Sequence, residues 1–319
     1  MTGPAPIPPG RRRPHAAELL FWAATAGAWV VFPSHHLLLT EITILGLFAL
    51  SLDLILGFAG ILSLGHGAFF GVGAYAAGLA AIHLTAEPLS GLALAAALSG
   101  ALGAATAPLL LRPGAGDLTR LMVTLGIAML VFEAANRASW LTGGSDGLNG
   151  VLIDPLFGRF DFDLQGRTGH AYALAVLAVL FWAARRMMGA PFGLSLRAVR
   201  DNPARAAALG VPVGWRLVAI YAVSAAFAGA AGALATQTTM FVSLDAVAFH
   251  RSAEVLLVLV LGGTGYLYGG LVGAVVFKLL QDGLAALTPQ YWPFWLGLIL
   301  VALVLVGRDR IAAALGRWR

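Results

Sequence analysis

The sequence contains no cysteine and very little charge. Without cysteine, no disulfide framework, thiolate metal site or cysteine nucleophile can form. Charged residues make up 11% of the 319 residues and hydrophobic residues 59%, whereas an average soluble domain has about 25% charged residues. A soluble chain of this length cannot bury so much apolar side chain, because its surface still grows with its mass. The composition therefore excludes a soluble globular enzyme, a disordered chain and a nucleic-acid-binding domain, and it predicts a polytopic membrane protein.

The sequence also lacks the motifs of nucleotide and metal chemistry. A phosphate-binding loop GxxxxGK[ST] needs a lysine, and the sole lysine, Lys278, lies inside an apolar segment. The run Gly71–Ala76 partly resembles a dinucleotide fingerprint, but it follows no strand and lies in an apolar run. The seven histidines have no metal-ligand spacing. We therefore expect neither a cofactor nor a catalytic site, and no hydrolysis of ATP by this chain itself.

A series of apolar segments approaches the length of about 20 residues that a membrane-spanning helix needs. The stretch Arg251–Leu287 is too long for one span, and glycines at 262, 263 and 265 interrupt it, so we divide it in two. The predicted fold is all-α, with about ten hydrophobic segments that include broken, glycine-rich helices. The ten segments are Glu18–Phe32, Leu37–Leu56, Gly67–His83, Leu89–Leu111, Leu118–Trp140, His170–Arg185, Trp215–Ala235, Ser252–Leu261, Gly269–Ala286 and Tyr291–Val306.

The distribution of arginine predicts the topology, because basic loops remain in the cytoplasm. The loop 185–216 carries six arginines and one aspartate, whereas the loop 141–169 carries four aspartates and two arginines. Ten segments place both termini in the cytoplasm, and nine leave the C-terminus on the wrong side. The segment Ser252–Leu261 is short for a full span, so a half-helix is the alternative there. We expect a Pro/Arg-rich tail at 1–16, a transmembrane domain at 17–307 and a basic tail at 308–319.

Two glycine-rich breaks are candidates for the lining of a translocation pathway. Ser51–Ala74 and Ser252–Ala274 each contain an apolar helix with an acid near its start, a glycine break and a glycine-rich helix. Transporters contain such repeats with broken helices at the substrate site. The alternatives are close helix packing through small-residue motifs and, for the histidine, a hydrogen-bonded structural role. The candidate pathway residues are Asp53, Gly60, Ser63, Gly65, His66, Glu254, Gly262 and Gly263.

Few charges fall inside the apolar segments, and most have a local partner. Glu133 with Arg137 and Lys278 with Asp282 are spaced i,i+4, so we predict that each pair shares one helix face. Asp53 has no such partner. Glu254 has only a neighbouring arginine, so these two acids are the better candidates for a role inside the bundle.

The basic loop 194–211 differs from every other loop because it contains helix-capping residues. Asn202 suits an N-cap, Pro203 the first helical position and Gly210 the position after the C-terminus. A loop that is basic only for topology needs no capped helix, so we interpret this one as a docking surface. The residues assigned to it are Arg197, Arg200, Asp201, Asn202, Ala206, Leu209 and Gly210.

At these residues the chain resembles the permease family of branched-chain amino-acid ABC importers, and within it the LivM type rather than the LivH type. The matching stretches occur in family order between about residues 37 and 306. They are Leu54–Leu79, Thr142–Leu148, Gly193–Val211, Ser224–Leu234, Ser252–Ala274 and Tyr291–Leu298. The resemblance implies an inner-membrane, multi-pass permease embedded in lipid, with a sister LivH-type permease, two cytoplasmic ATP-binding subunits and a periplasmic substrate-binding protein.

The resemblance also implies a mechanism: alternating access to branched-chain amino acids, driven when the ATPases push the coupling helix Pro203–Leu209. Related permeases carry urea or short amides, and the motifs do not separate these substrates. A stand-alone secondary transporter or channel is the alternative from another class, and it needs no docking helix. An intramembrane enzyme would need a convergent set of carboxylates or a His/Asp pair.

Overall fold

The computed structural model describes residues 16–111, 116–163 and 165–306. Within these ranges the chain is helical and forms no strand beyond two isolated bridges. The predicted tails, 1–16 and 308–319, lie outside the described residues except for Ala16, which begins the first helix. The helices are α1 Ala16–Val31, α2 His36–Leu56, α3 His66–His83, α4 Pro88–Leu110, α5 Asp117–Arg137, α6 Ser139–Thr142, α7 Arg167–Gly189, α8 Pro191–Asp201, α9 Pro203–Ala208, α10 Val213–Thr239, α11 Phe249–Gly262, α12 Leu267–Leu287 and α13 Trp292–Val306.

Each of the ten predicted apolar segments overlaps one of these longer helices, and Leu118–Trp140 also reaches into the short α6. In the described part of the chain, six helices are long and apolar enough to cross a membrane: α2, α4, α5, α7, α10 and α12. α11 has 14 residues, in agreement with the prediction that this segment is short for a full span. The protein is therefore an all-α, polytopic membrane protein, as the composition predicts.

The helices α2 and α10 form the centre of the bundle. Fifteen of the 21 residues of α2 are buried, and α10 is buried to a similar extent. α3 and α4 pack against α10, α7 and α12 pack against α2, and α11 packs against α12. α5 lies at the periphery, since almost all of its side chains remain accessible. α1 and α13 contact only α7 and α12, respectively, among the stronger helix contacts.

Glycine allows the central helices to approach each other closely. A Cβ atom on Gly73 of α3 would overlap the backbone of Gly229 on α10, and one on Gly232 would overlap the carbonyl oxygen of Phe70. The hydroxyl of Ser99 on α4 donates to the carbonyl oxygen of Phe69 at 3.0 Å, which joins a third helix to this contact. Glycine therefore mediates close packing of α3 against α10, which is the alternative role that we gave for the glycine-rich segments.

The basic loop between α7 and α10 folds into two helices, one more than the sequence predicts. α9 begins after Asn202, whose side chain accepts a hydrogen bond from the backbone N–H of Arg205 at 2.9 Å. Gly210 follows in the left-handed region, with φ +83°. We expected a helix only after Asn202, but the preceding residues form α8, which buries Leu196 and Val199 on one face. The prediction was incomplete because only three buried positions define this helix, too few to stand out beside the arginines.

Candidate translocation and coupling site

An open cavity of about 860 Å³ lies along the N-terminal half of α2 and is lined by residues of α3, α10, α11 and α12 and of the chain around 162–169 and 240–246. Its apolar end is formed by Ile44, Leu45, Phe48 and Phe70. The rings of Phe48 and Phe70 lie 4.8 Å apart between centroids, so they close this end of the cavity. The cavity therefore has an apolar floor about halfway along α2.

Opposite charges meet in pairs along the same cavity. The ammonium of Lys278 on α12 lies 2.9 Å from a carboxylate oxygen of Glu41 on α2. Arg251 lies 3.0 Å from Glu254 and 3.0 Å from Asp245. The predicted pairing of Lys278 with Asp282 is wrong, because the ammonium reaches across to α2 instead of along its own helix. The predicted pair of Glu133 with Arg137 is present on the accessible surface of α5.

Of the eight predicted pathway residues, Glu254 lines this cavity, and the other seven lie outside its described lining. His66 lies behind the aromatic floor and is completely buried. Its Nε2 atom is 2.9 Å from the hydroxyl of Ser51, and its ring stacks on Phe48 with 5.7 Å between centroids. This arrangement matches the hydrogen-bonded structural histidine that we gave as the alternative.

Ser63 and Gly65 are also part of the packing behind the floor. The hydroxyl of Ser63 is buried and accepts a hydrogen bond from the backbone N–H of Gly65 at 3.3 Å. A Cβ atom on Gly65 would overlap the carbonyl oxygen of Thr124 on α5, so a larger residue does not fit there. These two residues fix how the chain enters α3.

The two glycine breaks meet at the carboxylate of Asp53. This side chain, at the last turn of α2, is fully buried, and its Oδ1 atom accepts a hydrogen bond from the backbone N–H of Gly265 at 2.7 Å. Gly60 and Gly263 both have positive φ, +72° and +102°, which only glycine adopts without strain. Gly262 packs directly against the first turns of α12. Residues that are 212 positions apart in the sequence thus form one junction.

Arginines of α8 join this junction to the basic loop. The guanidinium of Arg200 donates to the carbonyl oxygen of Gly57, and its side chain lies against Gly60. Arg197 places its guanidinium over the ring of Phe58, 5.5 Å from the centroid. Both arginines, which we assigned to ATPase contact, therefore touch the turn that follows α2.

The other residues assigned to the loop divide into buried and accessible positions. Ala206 is 2% exposed and packs inward from α9. Asp201 and Asn202 are accessible where α8 ends and α9 begins. Leu209 is 77% exposed and Gly210 ends the helix.

Sequence reasoning missed most of the cavity. Thr40, Phe48, Phe70 and Lys278 line it, but none was assigned to the pathway. Polar residues inside apolar segments stand out in the sequence, and the sole lysine is the clearest example. Their convergence depends on how α2 packs against α12, which no local pattern encodes.

Comparison with known proteins identifies relatives of the chain. Residues 36–306 match the family model described as the permease component of branched-chain amino acid transport systems. The high-affinity branched-chain amino acid transport system permease protein LivM is 29% identical in Escherichia coli K12, over 259 residues, and 31% identical in Salmonella typhimurium, over 260 residues. Each alignment covers 73% of this chain and 59% of the relative.

A more distant relative has a different named substrate. The galactose/methyl galactoside import permease protein MglC of Haemophilus influenzae is 26% identical over 183 residues, which is 54% of this chain and 52% of that protein. The chain thus spans about three fifths of the length of the LivM proteins and half of this one. No solved structure matches the chain.

Proposed function

Since the chain belongs to the family of permease components of branched-chain amino acid transport systems, we propose that it is one permease subunit of an ATP-driven importer for leucine, isoleucine and valine in the inner membrane. Two cytoplasmic ATP-binding subunits hydrolyse ATP, a LivH-type sister permease completes the membrane unit, and a periplasmic binding protein delivers the substrate. The chain itself makes no covalent change to the substrate.

The observation that carries this proposal is the connection between the α8–α9 loop and the glycine junction. A stand-alone transporter needs no capped helix on its surface. Here α9 presents an accessible leucine, and the next helix toward the core, α8, holds the turn after α2 through Arg200. A push on α9 by an ATPase therefore reaches the two breaks through a short series of direct contacts.

The junction is suited to a two-state movement. α2 and α12 are packed helices, but the breaks beside them contain glycines at positive φ that act as hinges. Asp53 ties one break to the other, so α2 and α12 move together when the junction shifts. Because both helices line the cavity, its access changes with the position of α8. Alternating access requires contacts that differ between the inward-facing and outward-facing states, and the contacts at this junction would differ in that way.

The chemistry of the cavity favours an amino acid with an apolar side chain. A free amino acid carries one ammonium and one carboxylate, and charged groups are costly to bury unless they are paired. The pairs formed by Lys278 and by Arg251 offer both signs of charge, and the aromatic floor offers an apolar surface. Urea and galactose are neutral and polar, and they match neither feature.

The positions of the cavity and the basic loop agree with import. Basic loops face the cytoplasm, so the α8–α9 face is the cytoplasmic one. Thr40 of the cavity and Asp53 of the junction are separated by 13 residues of α2, or about 20 Å along the helix axis. The cavity therefore opens toward the opposite, periplasmic face in our proposal, where a binding protein releases its substrate. The proposal keeps the expectation from the arginine distribution that both chain termini are cytoplasmic.

Reconstituted uptake tests the proposal directly. Proteoliposomes contain the chain, its sister permease and the ATP-binding subunits, with the binding protein added outside. Labelled leucine, urea and galactose are compared with and without ATP. We expect ATP-dependent uptake of leucine. Uptake of urea or galactose alone would refute the substrate, and uptake by this chain without the ATPases would refute the mechanism.

A matched pair of surface variants tests the docking surface. Leu209→Asp places a charge at the C-terminal end of α9, and Leu84→Asp places the same charge at the C-terminal end of α3, where the leucine is similarly exposed. We expect the ATP-binding subunits to co-purify with the Leu84 variant and not with the Leu209 variant. Equal co-purification with both variants would rule out α9 as the docking helix.

A further inference from the structure

A second cavity, of about 680 Å³, forms an apolar groove between α4 and α7. Leu92 and Ala96 of α4 and Val176 and Leu180 of α7 form its walls, and Trp29 of α1 closes one side. The chain at 155–160 turns back on itself through hydrogen bonds between Leu156 and Phe160 and covers one end of the groove. This groove is separate from the charged cavity beside α2, with which it shares no lining residue.

One charged side chain lies at the covered end of the groove. Among the described residues that line it, Arg167 carries the only formal charge, and Thr168 lies beside it. In the described part of the chain, no carboxylate lies within ion-pairing distance of Arg167. Arg167 is accessible, so its guanidinium has free donors at the mouth of an apolar groove.

The position of Arg167 along α7 puts it at a membrane boundary. α7 has 23 residues and is about 34 Å long, which exceeds the hydrocarbon thickness of about 30 Å. α8 follows at its other end, so Arg167 lies at the boundary opposite the α8–α9 face. A groove that runs from this level into the bundle has its polar end beside lipid headgroups and its apolar end beside acyl chains.

We propose that this groove binds one phospholipid molecule. An acyl chain packs against the apolar walls of α4 and α7, and the guanidinium of Arg167 binds the phosphate oxygens with two parallel hydrogen bonds. Apolar walls below a cationic mouth match the two ends of a phospholipid, its acyl chain and its phosphate. A sister-permease helix on this apolar surface is the alternative that the test below separates from the lipid. The proposal needs only that the chain lies in a membrane and does not depend on its substrate.

Native mass spectrometry tests whether the chain retains a bound phospholipid. The chain, alone and in complex with its sister permease, is released from membranes that contain phosphatidylglycerol. Arg167→Gln removes the phosphate contact. Arg159→Gln is the control, because it removes the same charge from the same loop at a position outside the groove lining. We expect one retained phospholipid in the parent and the control, and about tenfold lower retention in the Arg167 variant.

A second pair of variants tests the groove itself. Ala93→Phe fills it from α4, whereas Ala97→Phe adds the same ring one turn later, on an accessible position outside its lining. We expect loss of the bound lipid only in the Ala93 variant. Equal retention in either pair would overturn the proposal, and so would loss of the lipid when the sister permease binds, because the groove would then be a protein interface.

A spectroscopic measurement keeps the proposal testable if the Ala93 variant does not fold. Lipids with brominated acyl chains quench tryptophan fluorescence at close range, and Trp29 lines the groove. We expect quenching that persists after detergent extraction and that disappears in the Trp29→Phe variant. Persistent quenching that is unchanged in this variant would place the retained lipid elsewhere.

Discussion

Replacement of Asp53 tests whether the two glycine breaks act as one unit. The carboxylate is fully buried at the end of α2, and its only hydrogen bond in the described structure joins it to the backbone N–H of Gly265. Asp53→Ala removes the acceptor and leaves this donor without a partner. Asp53→Asn retains an acceptor oxygen at the same position, so it changes the charge and leaves the link.

The expected magnitude follows from the unpaired donor. A buried N–H group that loses its acceptor costs about 1–3 kcal/mol, and the removed carboxylate atoms leave space that the neighbouring helices fill only in part. If the hydrogen bond between Asp53 and Gly265 forms in only one of two transport states, its loss costs that state about 2 kcal/mol. The ratio of the populations of the two states then changes about 30-fold. The Asn variant retains the hydrogen bond, so we expect it to cost less than about 1 kcal/mol.

The assay is the number of leucine molecules taken up per ATP hydrolysed in proteoliposomes that contain the complete transporter. We expect Asp53→Ala to hydrolyse ATP with little uptake, and Asp53→Asn to approach the parent. Thermal unfolding in detergent identifies variants that merely fail to fold. Coupling of the Ala variant equal to that of the parent, in a folded complex, would refute the reasoning. An Asn variant as inactive as the Ala variant would show that the negative charge, not the acceptor, matters.

Three further substitutions separate the contacts of the site. Arg200→Ala removes the hydrogen bond to the turn after α2, worth about 1 kcal/mol, so we expect about fivefold less uptake with ATPase binding intact. Arg159→Ala, which removes an accessible arginine outside the α8–α9 loop, should retain uptake. Gly73→Ala should lower the unfolding temperature, because the methyl group overlaps the backbone of α10 and overpacking costs about 1–3 kcal/mol. Gly126→Ala, with open space around it, is the control that should not lower this temperature, because alanine favours a helix interior more than glycine does. Lys278→Met should raise the KM for leucine uptake, because its glutamate partner on α2 is left unpaired in the cavity; an unchanged KM would exclude this pair from the substrate path.

The helices were predictable because their determinants are local. Apolar runs predicted where the long hydrophobic helices lie, six of which are long enough to cross a membrane in the described part of the chain. The order Asn202, Pro203 and Gly210 predicted α9 and its cap. Each of these features depends on residues within a few positions in the chain. The same local reasoning missed α8, because its apolar face consists of only three positions among arginines.

The pairs that cross between helices were not predictable in this way. Local spacing assigned Lys278 to Asp282, yet the ammonium binds Glu41, because the packing of α12 against α2 decides which carboxylate lies within reach. The aromatic floor could not be predicted for the same reason. In the sequence, Phe48 and Phe70 look like ordinary core residues, and only the packing of α2 against α3 brings their rings together.

The glycine junction shows how two separate predictions become one site. Asp53 and Gly60 were assigned to the pathway and Arg200 to ATPase docking, from features with nothing in common in the sequence. In the structure the turn that follows α2 contacts both Arg200 and the second break, because positive φ at Gly60 lets the chain reverse beneath its own helix. A glycine break and a basic loop that share one turn cannot move independently. We therefore expect this turn to pass a movement of the α8–α9 loop, driven by ATP hydrolysis in the proposed partner subunits, to the helices that line the cavity.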